Sequence, residues 1–277
     1  MEIKIAVVQT ETYMGDQESQ VNLERAQKYV KESSEMGANI VCFPESFPGP
    51  WKQNKYFSPV EEMCNIACAN KIYVIFGTLE PVDNDEKKMF YNTEVIVGPQ
   101  GKILGRYRRT TPYGPWIYKG GPFWDFNYQV GHELPVFETE YCKIGILICS
   151  EVFVPELSRI LALKGAEIIF IPHGLARTEM WETWTTLIKA RAFENNAVCA
   201  TCGNILGVEG GMAIIAGPEE TLVESQEKGV HLANIDLDRI RCLRADRDEY
   251  HIVLPYKSKP GILTQWRRPD LYGELTK

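Results

Sequence analysis

The chain has 277 residues, of which 44% are hydrophobic and 24% charged, with a formal net charge of -7. That length suits one large α/β domain or two small ones. The acidic balance and the lack of any basic run exclude a nucleic-acid surface, and no apolar stretch reaches the length of a membrane span.

In chain order, residues 3–9 read as a strand that begins almost at once. The start has neither the basic residues nor the small-residue cleavage site of a signal peptide, so a cytoplasmic location is the expectation. Residues 21–36 are helical, with Val21, Leu23, Ala26, Tyr29 and Val30 apolar at roughly helical spacing and Gly37 as the stop. A strand at 39–43 ends in Phe43-Pro44-Glu45. A helix at 60–70 and a strand at 72–79 follow. Strands at 90–97 and 102–106 flank the turn Gly98-Pro-Gln-Gly101. Residues 110–133 are rich in Pro, Gly and aromatics, and a loop of that length inside a compact domain is usually functional.

A second round of the same kind follows. An apolar run, Gly145-Ile-Leu-Ile, leads into Cys149. Pro155 then opens a helix over 156–163. Residues 167–172 read as a strand, 181–195 as a helix and 197–202 as a strand. Segments 212–215 and 231–235 are expected to pair across a turn near Gly217-Pro218. The tail, about 252–277, is apolar around Leu263 to Tyr272 and is expected to pack on a partner subunit. The alternation predicts a single domain over 1–277, with buried sheets covered by helices.

Two segments carry chemistry. Taken singly, Cys149 reads as a buried structural cysteine, because unpaired cysteine is among the most buried residue types. A second apolar strand ending in an acid, Glu45, changes that reading. Two buried strands that each deliver a reactive group at their C-terminal end suggest a shared site. A helix N-terminus after Cys149 would favour its thiolate.

Eight cysteines, at 42, 64, 68, 142, 149, 199, 202 and 242, do not make a disulfide scaffold in a chain this long. Cys199-Ala-Thr-Cys202 lies on a strand, where residues three apart face opposite sides. No second such pair completes a zinc site, so no metal is expected. Cys64 and Cys68 share a helix face and read as packing residues. Trp181 and Trp184 also read as packing residues.

At this point the chain resembles the nitrilase, or carbon–nitrogen hydrolase, superfamily over nearly its whole length. The resemblance rests on Ile5-Ala-Val-Val-Gln-Thr10, Phe43-Pro-Glu45, Gly101-Lys-Ile-Leu-Gly-Arg-Tyr-Arg108 and Gly145-Ile-Leu-Ile-Cys149 through Glu156. It rests also on Ala190-Arg-Ala-Phe-Glu-Asn195, Asn204, Gly217-Pro218 and Ile235-Asp236. It implies a four-layer αββα sandwich and a Glu–Lys–Cys triad acting on a non-peptide carbon–nitrogen bond. It also implies a homodimer and no cofactor. Glu45 would be the general base, Cys149 the nucleophile, and the Ser150 backbone N–H an oxyanion donor.

One position departs from the family. Arg109 stands where the resemblance expects the catalytic lysine. Arginine keeps the charge, but its guanidinium is planar, larger, and does not lose its proton. Three readings stay open: Arg109 serves directly, Lys119 reaches in from the aromatic loop, or hydrolysis is lost and the chain binds or regulates instead. Lys143 lies six strand residues from Cys149, roughly 20 Å away.

Asp125, or else Glu133, would be the family's second acid, and Glu151 reads as a cap for the helix at Pro155. Trp116, Tyr118, Phe123, Trp124 and Tyr128 would wall an apolar pocket. His173, at a strand end, is a candidate substrate contact. The first expectation is an amidase or carbamoylase-like hydrolase of a small molecule, with nitrile hydrolysis less favoured. The contrasting reading is a catalytically impaired homologue. A third is amide synthesis or acyl transfer through the same thioester.

Overall fold

A computed structural model describes residues 1–13, 19–50, 57–83, 89–111, 127–174, 178–205, 211–245 and 257–277. The first round of the chain builds one sheet. Strands β1 (Glu2–Glu11), β2 (Ile40–Cys42), β3 (Tyr73–Pro81), β4 (Met89–Val97) and β5 (Ile103–Arg108) lie side by side in that order. Helices α1 (Ser19–Glu35) and α2 (Val60–Asn70) make the crossovers, and β6 (Asn127–Tyr128) adds to β4. β1 to β3 are parallel, as helical crossovers require, and β3 to β5 are antiparallel.

The second round builds the other sheet from β7 (Val136–Glu138), β8 (Lys143–Ile146), β9 (Ile168–Phe170) and β10 (Val198–Thr201), with α3 (Pro155–Leu163) and α4 (Trp181–Asn195) between them. Here β8, β9 and β10 are parallel. β11 (Asn204–Ile205) then crosses over to pair with β1. β12 (Ala213–Ala216) and β13 (Thr221–Ser225) complete the second sheet, β14 (Gly229–Asp236) returns to β1, and α5 (Leu237–Arg244) follows.

Strand alternation sorts the side chains into layers. Ile3, Ile5, Val7, Ile40, Cys42 and Ile75 face the second sheet, where Ile144, Ile146 and Ile168 share one core with them. Their neighbours Ala6, Val8, Val41, Val74 and Phe76 face Leu23, Ala26 and Val30 of α1 and Met63 and Ala67 of α2. Leu161 of α3 and Trp184, Ile188 and Ala192 of α4 belong to the core of the second sheet. Each fully buried Ile or Val contributes roughly 1.5–3 kcal/mol of transfer free energy, so both faces of both sheets are held firmly. Gly145 has no side chain because Leu161 occupies that space: a Cβ there would stand 3.0 Å from Leu161 Cδ1. The result is the αββα sandwich.

The structure corrects several expectations. Segment 212–215 does not pair with 231–235. β12 pairs with β13, while β14 pairs antiparallel with β1 in the other sheet. β7 and α5 lie where the sequence reading placed no element. Cys68 is exposed and Cys64 half-buried, so only the latter packs. Cys202 sits across from Cys42, its thiol donating to the Cys42 carbonyl at 3.5 Å, while Cys199 is buried elsewhere in the second sheet. Among the described residues no helix is long and apolar enough to cross a membrane.

Candidate active site

Glu45 follows β2 by three residues. Phe43 N–H continues the ladder to Ile75, and the Glu45 carbonyl accepts from Asn204 Nδ2 at 2.8 Å. Its side chain thereby enters the space between the sheets, where it is fully buried. Arg109 follows β5 by one residue, with its N–H bonded to the Asn92 carbonyl at 2.9 Å. Alternation sends Arg106 and Arg108 outward to Glu80, at 3.6 and 2.9 Å, and turns Tyr107 and Arg109 inward. Arg109 is only 1% exposed.

The two groups meet. Arg109 Nη1 lies 3.1 Å from Glu45 Oε1, and Asn92 Nδ2 donates to the same oxygen at 2.7 Å. Arg109 Nη2 donates to Ser150 Oγ at 2.5 Å. The guanidinium thus spans from Glu45 to the residue after Cys149. Neither nitrogen alone could do this, and a lysine ammonium would be a single point.

Cys149 sits past the end of β8, its N–H held by the Pro172 carbonyl at 2.8 Å, with φ at +53°. A non-glycine residue there is strained by about 1–3 kcal/mol. The strain turns the thiol out of the strand direction and toward Glu45, with which it hydrogen-bonds. Burial, then the Glu45 charge, push the thiol up to about 12. Arg109 and the Gly174 backbone N–H, which bonds the sulfur, act the other way. The balance of these causes favours the protonated thiol at Cys149. Cys149 opens a short 3-10 turn, Cys149–Phe153, and α3 begins only at Pro155.

Glu151 is not the cap of α3. Its carboxylate, fully buried, accepts from Tyr107 Oη at 2.7 Å, Ile148 N–H at 2.8 Å, Thr110 N–H at 2.7 Å and Thr110 Oγ1 at 2.8 Å. It ties the residues on either side of Arg109 to the residue just before Cys149. This sets the register of the two sheets at the site. Burial of the phenol, then the Glu151 charge, push Tyr107 well above its usual range.

His173 lies next to Gly174 at the edge of the site. It is 1% exposed and packs on Trp184 with ring centroids 5.0 Å apart. Thr201 Oγ1 donates to the Ile171 carbonyl at 2.6 Å and so accepts from His173 Nδ1 at 2.9 Å. Burial holds the ring down to about 3, neutral throughout the physiological range. The next residue is Gly174, whose N–H meets the sulfur. Lys143 pairs with Glu138 at 2.8 Å on the surface, away from the site. Glu133 is exposed beside Arg106 and Arg108, on the outward side of β5. Tyr128 donates to the carbonyls of Arg109 and Thr111, both at 3.1 Å, so it braces the Arg109 segment. Lys119, Asp125, Trp116, Tyr118, Phe123 and Trp124 lie outside the described residues.

Asn92, Gly174 and the role of Glu151 escaped the sequence reading. For Asn92 a signal existed: with Glu94 it is a polar residue on the inward parity of a strand that continues as Ile96.

The family model described as Carbon-nitrogen hydrolase matches residues 4–245. The chain is 29% identical over 257 residues to omega-amidase NIT2-B of Xenopus laevis, covering 84% of this chain and 91% of that protein. It is 28% identical over 279 residues to a nitrilase of Pyrococcus abyssi, covering 90% and 99%. Two solved structures share its fold. An amidase from Nesterenkonia sp. superposes with a TM-score of 0.72 at 23% identity, covering 89% and 93% of the two chains. Saccharomyces cerevisiae Nit3 does so with 0.75 at 22% identity, covering 87% and 92%. The match of family model, fold and site order runs through nearly the whole chain, which therefore belongs to the carbon–nitrogen hydrolase family.

Proposed function

We propose that this chain hydrolyses a small-molecule amide or N-carbamoyl compound through a thioester on Cys149, with Glu45 as base and Arg109 as the fixed cation. The observation that carries the reading is the Arg109 guanidinium, buried and bonded to both Glu45 and the nucleophile turn. In this reading the thiol proton passes to Glu45 as sulfur attacks the carbonyl carbon. The developing oxyanion meets the Ser150 N–H, near the start of a 3-10 turn where intrahelical partners are lacking. Glu45 returns the proton to the leaving nitrogen, and ammonia or an amine departs. A water then loses a proton to Glu45 and attacks the thioester, and the acid leaves as the thiol is restored. The names of the relatives, omega-amidases among them, support an amide as substrate.

The test is ammonia or amine release from an amide panel, with mass spectrometry of Cys149. An acyl adduct on Cys149, and no turnover in Cys149→Ala, are expected. Adducts concentrated on Cys199 or Cys202 would overturn the assignment. Tight ligand binding without turnover would favour an impaired, binding homologue. Hydroxamate formed from hydroxylamine would reveal acyl transfer.

The reading includes a homodimer. Phe153, Val154, Ile160, Leu163 and Phe193 are exposed apolar side chains on the segment from the 3-10 turn through α3 and on α4. The tail docks on its own chain through the Asn196 side chain and the Lys259 carbonyl at 2.9 Å. It then leaves Trp266, Leu271 and Leu275 more than 60% exposed, open to a partner subunit. Light scattering that shows a monomer at micromolar concentration would count against it.

A further inference from the structure

β4 turns Asn92, Glu94 and Ile96 toward the second sheet. Asn92 serves Glu45 and Ile96 is core. Glu94 does neither. It is fully buried, and neither carboxyl oxygen meets a hydrogen-bond partner among the described residues. Its space exists because its partner across β3 is Gly77. A Cβ there would stand 2.8 Å from Glu94 Oε1 and 2.2 Å from the Ser46 nitrogen. The carboxyl therefore abuts the peptide that joins Glu45 to Ser46.

The titratable groups that face it are Glu45 beyond β2, Cys42 at the end of β2, Cys202 after β10 and Tyr107, its register partner on β5. All of these ionise to anions. A second carboxylate in this place would be buried, undonated and beside an existing negative charge, which strongly disfavours ionisation. Burial first, then Glu45, hold Glu94 well above the usual carboxylate range.

We infer that Glu94 is a positioning residue that stays a neutral carboxylic acid beside Glu45, and that its ionisation closes the alkaline side of the reaction. This rests on the proposed hydrolysis. Arg109 cannot release a proton, so the cationic half of the Glu45–Arg109 pair is fixed. Glu94 is the adjustable group against the other half. Once ionised, it would press a second negative charge on Glu45, which would then keep the thiol proton instead of passing it to the leaving nitrogen.

The experiment compares the wild-type chain with Glu94→Gln and Glu94→Leu. The infrared difference between wild type and Glu94→Gln should show the carbonyl band of a protonated carboxylic acid at neutral pH. Unfolding frees Glu94 to ionise above the ordinary carboxylate range, so wild-type stability falls with rising pH while the variants' does not. Their stability advantage should grow from mildly acid to alkaline pH. The alkaline limb of kcat/KM should move up by about one pH unit or more in Glu94→Gln. The ratio of its Cys149 alkylation rate to that of wild type, measured with iodoacetamide, should fall with rising pH, because only in wild type does Glu45 come to hold the thiol proton and leave a thiolate.

Absence of the acid band, a constant alkylation ratio, or a Glu94→Gln chain that cannot fold would each overturn the inference. The last would mean that a charge at Glu94 holds the structure. Should no amide be turned over, the hydrolase reading fails, while the infrared band, the stability difference and the alkylation ratio still decide Glu94.

Discussion

Removing the Arg109 side chain tests the site most directly. Both members of the pair are buried, Arg109 at 1% and Glu45 at 0% exposed, so solvent does not screen the loss. Breaking a buried pair from one side costs about 3–5 kcal/mol, chiefly because the remaining charge is left uncompensated. For a chain of this size that lowers Tm by roughly 10 °C. In the proposed mechanism the guanidinium also holds the Ser150 turn whose N–H meets the oxyanion, and loss of an oxyanion donor slows acylation by about two to three orders of magnitude.

Arg109→Ala should therefore show both effects, in scanning calorimetry and in amide turnover. In a Glu45→Gln background the stability cost should shrink, giving a coupling of about 2 kcal/mol or more. Arg109→Lys keeps the charge but cannot reach Glu45 and Ser150 together, so its activity should fall between the two. An Arg109→Ala enzyme with unchanged Tm and near-normal kcat/KM would refute this reasoning. Inactivity of Lys119→Ala in the same assay would hand the role to the loop.

Glu151→Ala leaves four donors without their acceptor, each stranded group costing about 1–3 kcal/mol. It should lower kcat far more than it raises KM, with partial recovery in Glu151→Gln; an unaffected kcat in the folded variant would refute the clamp. The His173 ring is held down to about 3, against an ordinary 6.5, so burial of its neutral form opposes folding increasingly as pH falls from 6.5 toward 3. The acid limb of the stability curve should be shallower in His173→Asn by roughly 1.4 kcal/mol per unit over that window. Identical slopes in denaturant titrations would speak against it. With its thiol pushed up to about 12, Cys149 should react with iodoacetamide at a rate still climbing past pH 9; a plateau near neutrality would show a preformed thiolate.

Much of this was readable from local pattern. The helices Val60–Asn70 and Trp181–Asn195 fall at the residues expected, and Glu45 and Cys149, each just past an apolar strand, meet as the paired strands suggested. The pairing of β14 with β1 was not readable, because it joins residues more than two hundred apart in sequence, and nothing local states a partner. α5 did carry a signal: Asp236 caps it by accepting from Asp238 and Arg239 N–H at 3.0 and 3.1 Å. Glu151 was misread because, near Pro155, a carboxylate looks like a helix cap. Only the arrival of Tyr107 and Thr110 from the other sheet shows what it accepts. The surroundings of His173 were equally illegible, since a strand end can open to a cleft or, as here, pack against Trp184.

Glu45 and Cys149, the proposed base and nucleophile, belong to different sheets, and Glu151 is the rivet between them. The chemistry is thus a property of the seam and of neither half. A chain that keeps both ladders of backbone bonds but lets the layers slide would part the sulfur from the carboxylate and lose the guanidinium bridge at once. Its thiol, left without a base, would be an ordinary sluggish cysteine. The enzyme therefore disarms itself when it loosens, well before it comes apart.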